Sequence, residues 1–500
     1  MKNKTPFILV NSLNINRGGV TKSALTYANL LAKNYKKVYI CTFLYQREYK
    51  KIIQTLYDNN SLDKRVAILN MFEDLKLSKN NKKIIHSVKE RKFVEFKDNN
   101  QKNPSYRYYK DGLYVKYKRF NESGELIFID YMDGSRQRII RDEYNSSGLL
   151  TRRRHMDKKM KKPRLDQYFD DKEKCFLTTW VNPKTVKETK FVHFSKQPKE
   201  YNSLNDFRAM WLNSVIQNVD EPIFMIDKRG LDNLMKEMNH PTLKKVAILH
   251  SNHYKKPYEK GSEIKQSYHF LFNNISLFDK IVSLTERQKE DIDNQFNLHN
   301  KVEVIPHSVE PLENVKETKS FKYTPNTAIS IARYEKEKKL DEAIHAFKLV
   351  VEKIPSAKYY IYGTGSQKDN LNELINKLGL QNNVKLKGYT NDSHNKFKEA
   401  SCSILTSDFE GFGRVVAESL YAGTPVVSYN INYGPSDIIR DNIDGYVVDK
   451  GDRIDLATKI IDIFEDNELR ERLSKRAVEI TDRFSSKEFK TRWLNLLKNL

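Results

Sequence analysis

Cysteine is scarce in this chain of 500 residues, and long apolar runs are missing from it. The 3 cysteines, Cys41, Cys175 and Cys402, are widely spaced and form no Cys-x-x-Cys pair, so the sequence supports neither a disulfide framework nor a zinc site. No apolar run approaches the roughly 20 residues that span a bilayer, and the stretch 6–10 is far shorter than the core of a signal peptide. We therefore expect a cytoplasmic protein in which any membrane contact is peripheral.

Acidic residues are too few to balance the basic ones. The chain has 88 Lys and Arg against 65 Asp and Glu, a net charge of +23 at pH 7. Such an excess is typical of a lysine-rich solvated surface, or of a polyanionic partner such as nucleic acid, an acidic membrane or an anionic polymer substrate. With 39% hydrophobic residues the chain is not disordered. Its length predicts about two to four domains.

The first residues predict a strand, a glycine-rich turn and a helix. The apolar stretch 6–10 is followed by Arg17-Gly18-Gly19 and then by apolar residues at helical spacing. A second strand at 37–41 follows closely, so we predict parallel α/β structure up to about residue 72. Gly18 and Gly19 lie where backbone N–H groups at a helix start can bind a phosphate, although an ordinary tight turn has the same sequence.

Between residues 73 and 205 the pattern changes to short alternating strands. Residues 120–126 resemble residues 144–150 at an offset of 24, and four turn pairs punctuate the segment: Asp111-Gly112, Ser123-Gly124, Asp133-Gly134 and Ser147-Gly148. This pattern predicts an inserted antiparallel meander of related hairpins. Within it, residues 151–164 hold eight basic residues and one acid, nearly a third of the whole excess charge.

From residue 206 the α/β pattern resumes, and a second α/β series follows a polar link at 311–324. The predicted fold class is α/β, with two doubly wound, Rossmann-like domains that face each other across a cleft and an inserted antiparallel β domain. The predicted domains are an N-terminal one of residues 1–72 and 206–312, the insertion at 73–205, a C-terminal one at 313–485, and a last helix at 486–500 that packs back on the N-terminal domain.

Two cations follow the first strand of the second series. Arg333 comes shortly after the strand, and Lys338 lies five residues further on. A planar guanidinium and a mobile ammonium at the end of a strand suit a diphosphate, although a solvated basic turn has the same composition.

The loop after the fourth strand of this series is a second candidate site. It runs Glu410-Gly411-Phe412-Gly413 and leads into a helix, predicted to begin near Phe412, that carries Glu418 about two turns along. The glycines leave N–H groups free for an oxyanion. Carboxylates accept hydrogen bonds from the vicinal hydroxyls of a ribose or hexose.

This segment resembles the Glu, seven residues, Glu signature of the retaining GT-B glycosyltransferases that use nucleotide sugars. Arg333, Lys338 and the Gly18-Gly19 loop match the same family. The inserted β region, together with residues 249–253 and 433–437, most resembles the bacterial wall teichoic acid α-glycosyltransferases, which decorate poly(ribitol phosphate) or poly(glycerol phosphate). The resemblance covers roughly residues 1–72 and 206–500.

The resemblance implies a role for each matching residue. As catalytic residues, Arg333 and Lys338 hold the donor diphosphate and stabilise the departing UDP, Glu410 contacts the donor-sugar hydroxyls, and His250 lies under the sugar near the acceptor hydroxyl. The implied donor-binding residues are Gly18 and Gly19 at the phosphates, Lys387 and Tyr389 at the uracil, Glu418 at the ribose, and Gly411, Phe412 and Gly413. Asp437 is assigned to the acceptor. Without the resemblance, His250 fits a core histidine at a strand end.

The implied reaction transfers glucose or N-acetylglucosamine from UDP-glucose or UDP-N-acetylglucosamine with retention at the anomeric carbon. The UDP-sugar is a co-substrate, and no cofactor or metal is expected because paired cations can neutralise the leaving group. In the resembling family the inserted domain mediates self-association, commonly as trimers. We therefore expect a homo-oligomer, with a homotrimer favoured.

An anionic polyol-phosphate polymer as acceptor accounts for the basic run in the insertion. The residues predicted to bind it are Arg152, Arg153, Arg154, Lys158 and Lys159, with attraction to the inner membrane leaflet as a secondary use of the charge. Two alternatives stay open: O-glycosylation of serine-rich or Ser-Asp-repeat surface proteins, and a basic scaffold without enzymatic activity. No nucleic-acid partner is expected, because the basic run is not interleaved with stacking aromatics.

Overall fold

A computed structural model of the chain describes residues 3–15, 19–79, 82–298, 300–309 and 323–500. The chain divides into two compact units, Met1–Lys244 and Lys245–Leu500. Gly18 and most of the predicted link at 311–324 lie outside the described residues. No helix in the described ranges is long and apolar enough to cross a membrane.

The first unit begins with parallel α/β structure. Its strands are β1 (Lys4–Val10), β2 (Val38–Thr42) and β3 (Val66–Asn70), and its helices are α1 (Gly19–Ala32), α2 (Tyr49–Asp58) and α3 (Met71–Asp74). Phe7, Ile8 and Leu9 of β1 have no exposed surface, as expected for a strand covered on both faces. Asn70 caps α3, since its side chain accepts hydrogen bonds from the N–H groups of Phe72 and Glu73.

The inserted region is one ten-stranded antiparallel sheet in which the strands follow chain order. Its members are β4 (Val94–Lys97), β5 (Ser105–Lys110), β6 (Leu113–Phe120), β7 (Leu126–Met132), β8 (Arg138–Tyr144), β9 (Leu150–Met156), β10 (Pro163–Phe169), β11 (Cys175–Asn182), β12 (Lys187–His193) and β13 (Lys199–Tyr201). Consecutive pairing explains why the sequence shows alternating strands and tight turns.

The repeat in this sheet is half as long as the sequence suggested. Turns begin at Asn121, Asp133 and Asn145, 12 residues apart, and another begins at Asp170. In all four, the side chain of the first residue accepts hydrogen bonds from the N–H groups of the third and fifth residues. The fourth residue has a positive φ, so in the second turn Arg136 (φ 62°), and not the predicted Gly134, is left-handed. Only alternate turns have glycine at this fourth position, so the sequence pattern repeats every 24 residues although the turns repeat every 12.

After the insertion the chain returns to the parallel sheet of the first unit. It forms α4 (Leu204–Ile216), β14 (Glu221–Ile226) and a 3-10 helix, Arg229–Lys236. β14 pairs in parallel with β1, which pairs with β2, which pairs with β3. Ser203 caps α4 by accepting a hydrogen bond from the N–H of Asp206.

The second unit begins with three parallel strands, β15 (Lys244–Ile248), β16 (Lys280–Ser283) and β17 (Val302–Val304), with α5 (Gln266–Asn273) and α6 (Glu286–Phe296) between them in the chain. A parallel sheet of six strands follows, in the order β20-β19-β18-β21-β22-β23. These are β18 (Thr327–Ile331), β19 (Lys358–Tyr362), β20 (Val384–Gly388), β21 (Cys402–Leu405), β22 (Val426–Tyr429) and β23 (Gly445–Val448).

Helices connect the strands of the six-stranded sheet and complete the chain after its last strand. They are α7 (Leu340–Lys353), α8 (Lys368–Lys377), α9 (Ser393–Lys398), α10 (Arg414–Tyr421), α11 (Pro435–Ile438), α12 (Arg453–Glu465), α13 (Asn467–Ala477), α14 (Ile480–Arg483) and α15 (Ser486–Lys498). The helix predicted near Phe412 begins two residues later, at Arg414, because Gly413 (φ 85°) occupies the N-cap position.

The last helix returns toward β17. In α15, a guanidinium N–H of Arg492 donates to the carbonyl oxygen of Val304 at 3.0 Å. Just before the helix, the carbonyl oxygen of Phe484 accepts from the N–H of Val309 at 2.9 Å. Val304 and Val309 belong to the segment that the sequence assigned to the N-terminal domain, whereas the compact units divide the chain at Lys244. The predicted domain boundaries therefore stay predictions.

Candidate functional site

The candidate site lies at the carboxyl ends of β18 and β21 in the second unit. The chain order of the six-stranded sheet reverses between these two neighbouring strands. In open α/β sheets a ligand crevice forms at such a point, because the loops that follow the two strands run in opposite directions. Arg333 and Lys338 are on the loop after β18, and Glu410 is on the loop after β21.

Lys338 and Glu410 meet in a mostly buried ion pair. The Lys338 Nζ lies 2.6 Å from the Glu410 Oε1, and the side chains are only 17% and 15% exposed. The hydroxyl of Ser407 donates to the same carboxylate oxygen at 2.9 Å. Because the pair is shielded from water, each charge interacts more strongly than it would on an open surface.

Arg333 is held differently from Lys338. Its guanidinium pairs with the Glu337 carboxylate at 2.7 Å, and its side chain is 66% exposed. An exposed pair of this kind contributes little to stability, so Arg333 can exchange Glu337 for another anion at low cost. Both cations predicted to bind the diphosphate therefore contact a carboxylate.

Gly411 brings the backbone at His250 against the Glu410 loop. A Cβ atom at Gly411 would lie 2.2 Å from the carbonyl oxygen of His250, so no other residue fits there without a shift of the backbone. The carbonyl oxygen of Glu410 also accepts from the N–H of Asn252 at 3.2 Å. The structure thus places the backbone at His250 directly beside the loop of Glu410.

Asn252 joins three loops around this point. It has no exposed surface, and its side-chain N–H₂ group donates to the carbonyl oxygens of Tyr258 (2.9 Å) and Asn432 (3.0 Å). Its side-chain oxygen accepts from the N–H of Tyr254 at 2.7 Å. Sequence reasoning missed Asn252, because an asparagine three residues after a strand resembles an ordinary turn residue.

A second histidine, which sequence reasoning also missed, stacks on His250. The rings of His250 and His307 are parallel within 10°, with centroids 6.0 Å apart. Burial lowers the pKa of His307 well below its ordinary value, and the positive charge of Arg414 lowers it further. The edge of the Phe412 ring contacts His307, with centroids 5.4 Å apart. His307 is therefore a neutral support for His250.

Glu418 lies on α10, the helix that follows the Glu410 loop. Its carboxylate accepts from the hydroxyl of Ser393, at the start of α9, at 3.5 Å. Burial lowers the pKa of Arg414 at the N-terminal end of α10, and the charge of Glu418 opposes that shift. A half-buried carboxylate on the second turn of this helix suits a hydroxyl-rich ligand such as a ribose.

Lys387, near the end of β20, and Tyr389, just after it, lie at the same edge of the sheet. Lys387 Nζ lies over the Tyr360 ring, 4.7 Å from its centroid, and Tyr389 is 68% exposed.

Sequence reasoning missed the loop that follows β19, the strand between β18 and β20 in the sheet. At Gly365 a Cβ atom would lie 2.4 Å from the carbonyl oxygen of Tyr334, so this loop approaches the Arg333 loop closely. Its Gly-x-Gly pattern after a strand was the available signal.

Asp437 lies in α11 and contacts Gly434, the residue that precedes this helix. Its carboxylate accepts from the N–H of Gly434 at 3.3 Å, and burial raises its pKa. With His307 and Phe412 it lines a cavity of about 170 Å³. Its predicted contact with the acceptor stays a prediction.

In the first unit, the three predicted acceptor arginines are paired across the antiparallel sheet. Arg152 contacts Glu143, Arg153 contacts Asp142 and Arg154 contacts Asp166, at 2.7, 2.7 and 3.0 Å. Their charges are therefore largely offset within the sheet. Lys158 and Lys159, in the turn after β9, are exposed. Gly19 opens α1.

The described residues contain no group of three or more His, Cys, Asp or Glu side chains that could hold a metal ion. The charged groups at the crevice are instead the two cations and their carboxylate partners.

Comparison with known proteins adds two family models and several relatives. Residues 313–479 match the model "Glycosyl transferases group 1", and residues 7–196 match "Glycosyl transferase 1 domain A". The poly(glycerol-phosphate) alpha-glucosyltransferase of Bacillus subtilis is 29% identical over 99% of this chain and 75% of its own length. The poly(ribitol-phosphate) alpha-N-acetylglucosaminyltransferase of Staphylococcus aureus is 28% identical over 99% of this chain and all of its own.

Solved structures also include proteins that are similar to this chain over 99% of its length. The chain is similar to a crystal structure of S. aureus TarM in complex with fondaparinux, alpha-GlcNAc-glycerol and UDP, with a TM-score of 0.86, 25% identity, and coverage of 99% of this chain and all of the other. The pneumococcal O-GlcNAc transferase GtfA, at 19% identity and a TM-score of 0.73 over 99% of both chains, shares the fold. The predicted GT-B fold class and the resemblance to teichoic acid α-glycosyltransferases are confirmed.

Proposed function

We propose that this relative of the teichoic acid α-glycosyltransferases transfers a hexose or an N-acetylhexosamine from a UDP-sugar to hydroxyls of a polyol-phosphate polymer. The observation that carries the proposal is the Lys338–Glu410 pair at the carboxyl ends of β18 and β21. It combines, in one shielded crevice, a cation for a diphosphate and a carboxylate for sugar hydroxyls. Two relatives that match 99% of the chain act, by name, on poly(glycerol phosphate) and poly(ribitol phosphate).

In this proposal the donor replaces the present partners of the two cations. The diphosphate binds Lys338 and Arg333, Glu410 then accepts hydrogen bonds from the sugar hydroxyls, and Glu418 accepts from the ribose. The charge that develops on the departing UDP is stabilised by fixed cations. His250, whose backbone contacts Gly411, lies beside the sugar, where the acceptor hydroxyl approaches.

Two finer features of the reaction belong to the same proposal. Transfer proceeds with retention of the anomeric configuration, which NMR of the product linkage tests. It needs no metal ion, because the two cations perform the neutralisation that a metal would otherwise supply. Activity should therefore persist in EDTA, and activity that is lost in EDTA and restored by Mg²⁺ or Mn²⁺ would contradict this part.

The polymer is preferred to two other assignments. Transfer to serine-rich proteins is supported by more distant relatives, of which GtfA is 19% identical. A basic scaffold without activity would not need the buried Lys338–Glu410 pair. We propose a cytoplasmic homo-oligomer, with a trimer favoured because the resembling family commonly self-associates in this way.

Binding of UDP tests the donor site directly. At a UDP concentration of about 100 times Kd, a specific site stabilises the folded protein by about 2.7 kcal/mol, which raises the melting temperature. Lys338→Ala should remove most of that rise. Lys348→Ala, at a half-exposed lysine on α7 that pairs with Glu352, is the matched control and should retain it. A wild-type melting temperature that UDP leaves unchanged would contradict the donor site.

A further inference from the structure

The inserted sheet carries its turns in two sets, one at each end of the strands. Because the strands are antiparallel and follow chain order, alternate turns lie at the same end. We call the set at 110–113, 132–138, 156–163 and 182–187 the cationic end. The opposite end consists of the turns at 97–105, 120–126, 144–150, 169–175 and 193–199.

The charge of the sheet is concentrated at the first of these ends. The cationic end has nine basic residues, Lys110, Arg136, Arg138, Lys158, Lys159, Lys161, Lys162, Lys184 and Lys187, against three acids, Asp111, Asp133 and Asp157. The opposite end has six basic residues and six acids over its five turns. The sheet is therefore electrically polarised along its strands.

The lysines at the cationic end differ from the arginines in the strands next to them. Lys159, Lys161, Lys162 and Lys184 are exposed and belong to none of the ion pairs found in the described part of the chain, and Lys158 approaches Asp133 only to 3.8 Å. By contrast, Arg152, Arg153 and Arg154 each contact a carboxylate on a neighbouring strand. The turn lysines, and not the strand arginines, are available to an external anion.

The same turns also expose apolar side chains. Leu113, Met160 and Val186 are 56%, 43% and 44% exposed, and each lies in a different turn of the cationic end. Met160 stands between Lys158-Lys159 and Lys161-Lys162. Of the five turns at the opposite end, only 193–199 has an exposed large apolar residue, Phe194 at 37%. A soluble polyanion offers no apolar surface for these side chains to contact. The interface of a lipid bilayer binds both lysines and apolar side chains.

The arrangement of the turns suits an extended surface. Neighbouring strands lie about 4.8 Å apart, so successive turns at one end are spaced by roughly 10 Å in a row. We propose that the cationic end docks the protein on the surface of an anionic phospholipid bilayer, with the lysines beside lipid phosphates and Leu113, Met160 and Val186 between the headgroups. This surface shares no residue with the donor crevice, and its test needs no catalysis.

Vesicle sedimentation tests this surface. The whole protein should bind vesicles of phosphatidylglycerol and phosphatidylcholine and bind pure phosphatidylcholine vesicles far more weakly. A lysine beside an anionic surface contributes roughly fivefold to partitioning, so replacing Lys158, Lys159, Lys161 and Lys162 together by Ser should reduce binding by at least about 30-fold. The control replaces Lys172 and Lys174, which are exposed in a turn at the opposite end, and should change binding less than twofold per lysine. Circular dichroism and the UDP-induced thermal shift verify that each variant is folded.

Met160→Ser distinguishes a bilayer from a soluble polymer. It keeps all four lysines, so it should weaken vesicle binding about threefold or more and leave the affinity for soluble poly(glycerol phosphate) unchanged. Equal binding to neutral and anionic vesicles, or unchanged vesicle binding by the four-lysine variant, would overturn the proposal. So would a four-lysine variant that loses affinity for the soluble polymer alone, since that result would assign the turns to the acceptor.

Discussion

Asn252 shows how the position of charged residues depends on an uncharged side chain. Its side chain donates to the carbonyl oxygen of Asn432 and its backbone N–H to that of Glu410, so it connects the segment after β15, which includes His250, to both of those loops. Both hydrogen bonds satisfy carbonyl oxygens in a water-poor environment. Asn252 is therefore a positioning residue that sets the distance between the His250 backbone and Glu410.

Asn252→Ala should lower the rate of transfer more than it lowers donor affinity. The loss leaves the carbonyl oxygens of Tyr258 and Asn432 with only longer hydrogen bonds, from the Asn432 side chain (3.5 Å) and the Glu410 N–H (3.3 Å), which costs about 0.5–1.5 kcal/mol of stability each. A displacement of about 1 Å between reacting groups reduces kcat by up to about 100-fold, so kcat should fall at least tenfold, with a smaller change in KM for the donor. Steady-state kinetics and urea unfolding measure the two effects.

Asn383→Ala is the matched control for that prediction. Asn383 is also buried and also donates to two carbonyl oxygens, those of Pro355 and Ala357, at 2.9 and 2.8 Å. Its replacement should cost similar stability and leave kcat near the wild-type value. If both variants lose activity in proportion to stability, Asn252 has no positioning role.

Several site residues could be identified from the sequence, but their contacts could not. Lys338 and Glu410 are 72 positions apart and meet at 2.6 Å only because β18 and β21 are neighbours in the sheet. Strand order is a long-range property, so no local pattern reports it. Asn252 and His307 were missed for the same reason, since their roles come from contacts and not from a motif.

At the scale of the element, the inserted sheet shows what local sequence does and does not specify. Turn residues at regular spacing predicted the hairpins, because these turns use local side-chain to backbone hydrogen bonds. The acids opposite Arg152, Arg153 and Arg154 were not foreseen as partners, because their pairing depends on the register of β8, β9 and β10. A count of charges along residues 151–164 therefore overstated the charge available to a ligand.

Val186 provides a test of backbone strain in a turn of the inserted sheet. It occupies the position of positive φ (56°) in the turn that follows Asn182, where a β-branched residue is strained by about 1 kcal/mol or more. Val186→Asn should therefore raise the free energy of unfolding by about 0.5–1 kcal/mol, because asparagine tolerates this conformation better. Val181→Asn, at a buried site on β11, should lower it. A Val186→Asn protein that is less stable than wild type would contradict the assigned strain. The exposed strained valine fits the proposed use of its side chain at a bilayer.

In the whole molecule, whose net charge is +23, the basic residues described above occupy three different environments. The donor crevice uses two cations, the strands of the insertion offset theirs with carboxylates, and the cationic end presents exposed lysines. Composition predicted an anionic partner but could not divide the charge, because that division depends on which cations the fold pairs.

Stability at acidic pH should depend on His253. This side chain is fully buried, and burial, followed by the charge of Lys265, lowers its pKa to about 3. The unfolded chain binds a proton near pH 6.5 and the folded chain does not, so the free energy of unfolding falls by about 1.4 kcal/mol per pH unit below that value until pH approaches 3. Urea unfolding between pH 7 and 4 measures the slope.

His253→Phe should make that slope shallower by about one proton, whatever its effect on stability at pH 7. His269→Phe, at an exposed histidine on α5, is the control and should leave the slope close to wild type. An unchanged slope in the His253 variant would show that this histidine gains its proton without unfolding.

The mass of the product tests whether the protein transfers sugar from a UDP-sugar to a polyol-phosphate polymer. The protein is incubated with UDP-glucose or UDP-N-acetylglucosamine and with defined poly(glycerol phosphate), poly(ribitol phosphate) or a serine-rich peptide. We expect that at least one donor adds hexose or N-acetylhexosamine residues to a polymer, and that the peptide is unchanged. Modification of the peptide alone, or no mass gain on either polymer with either donor, would contradict it.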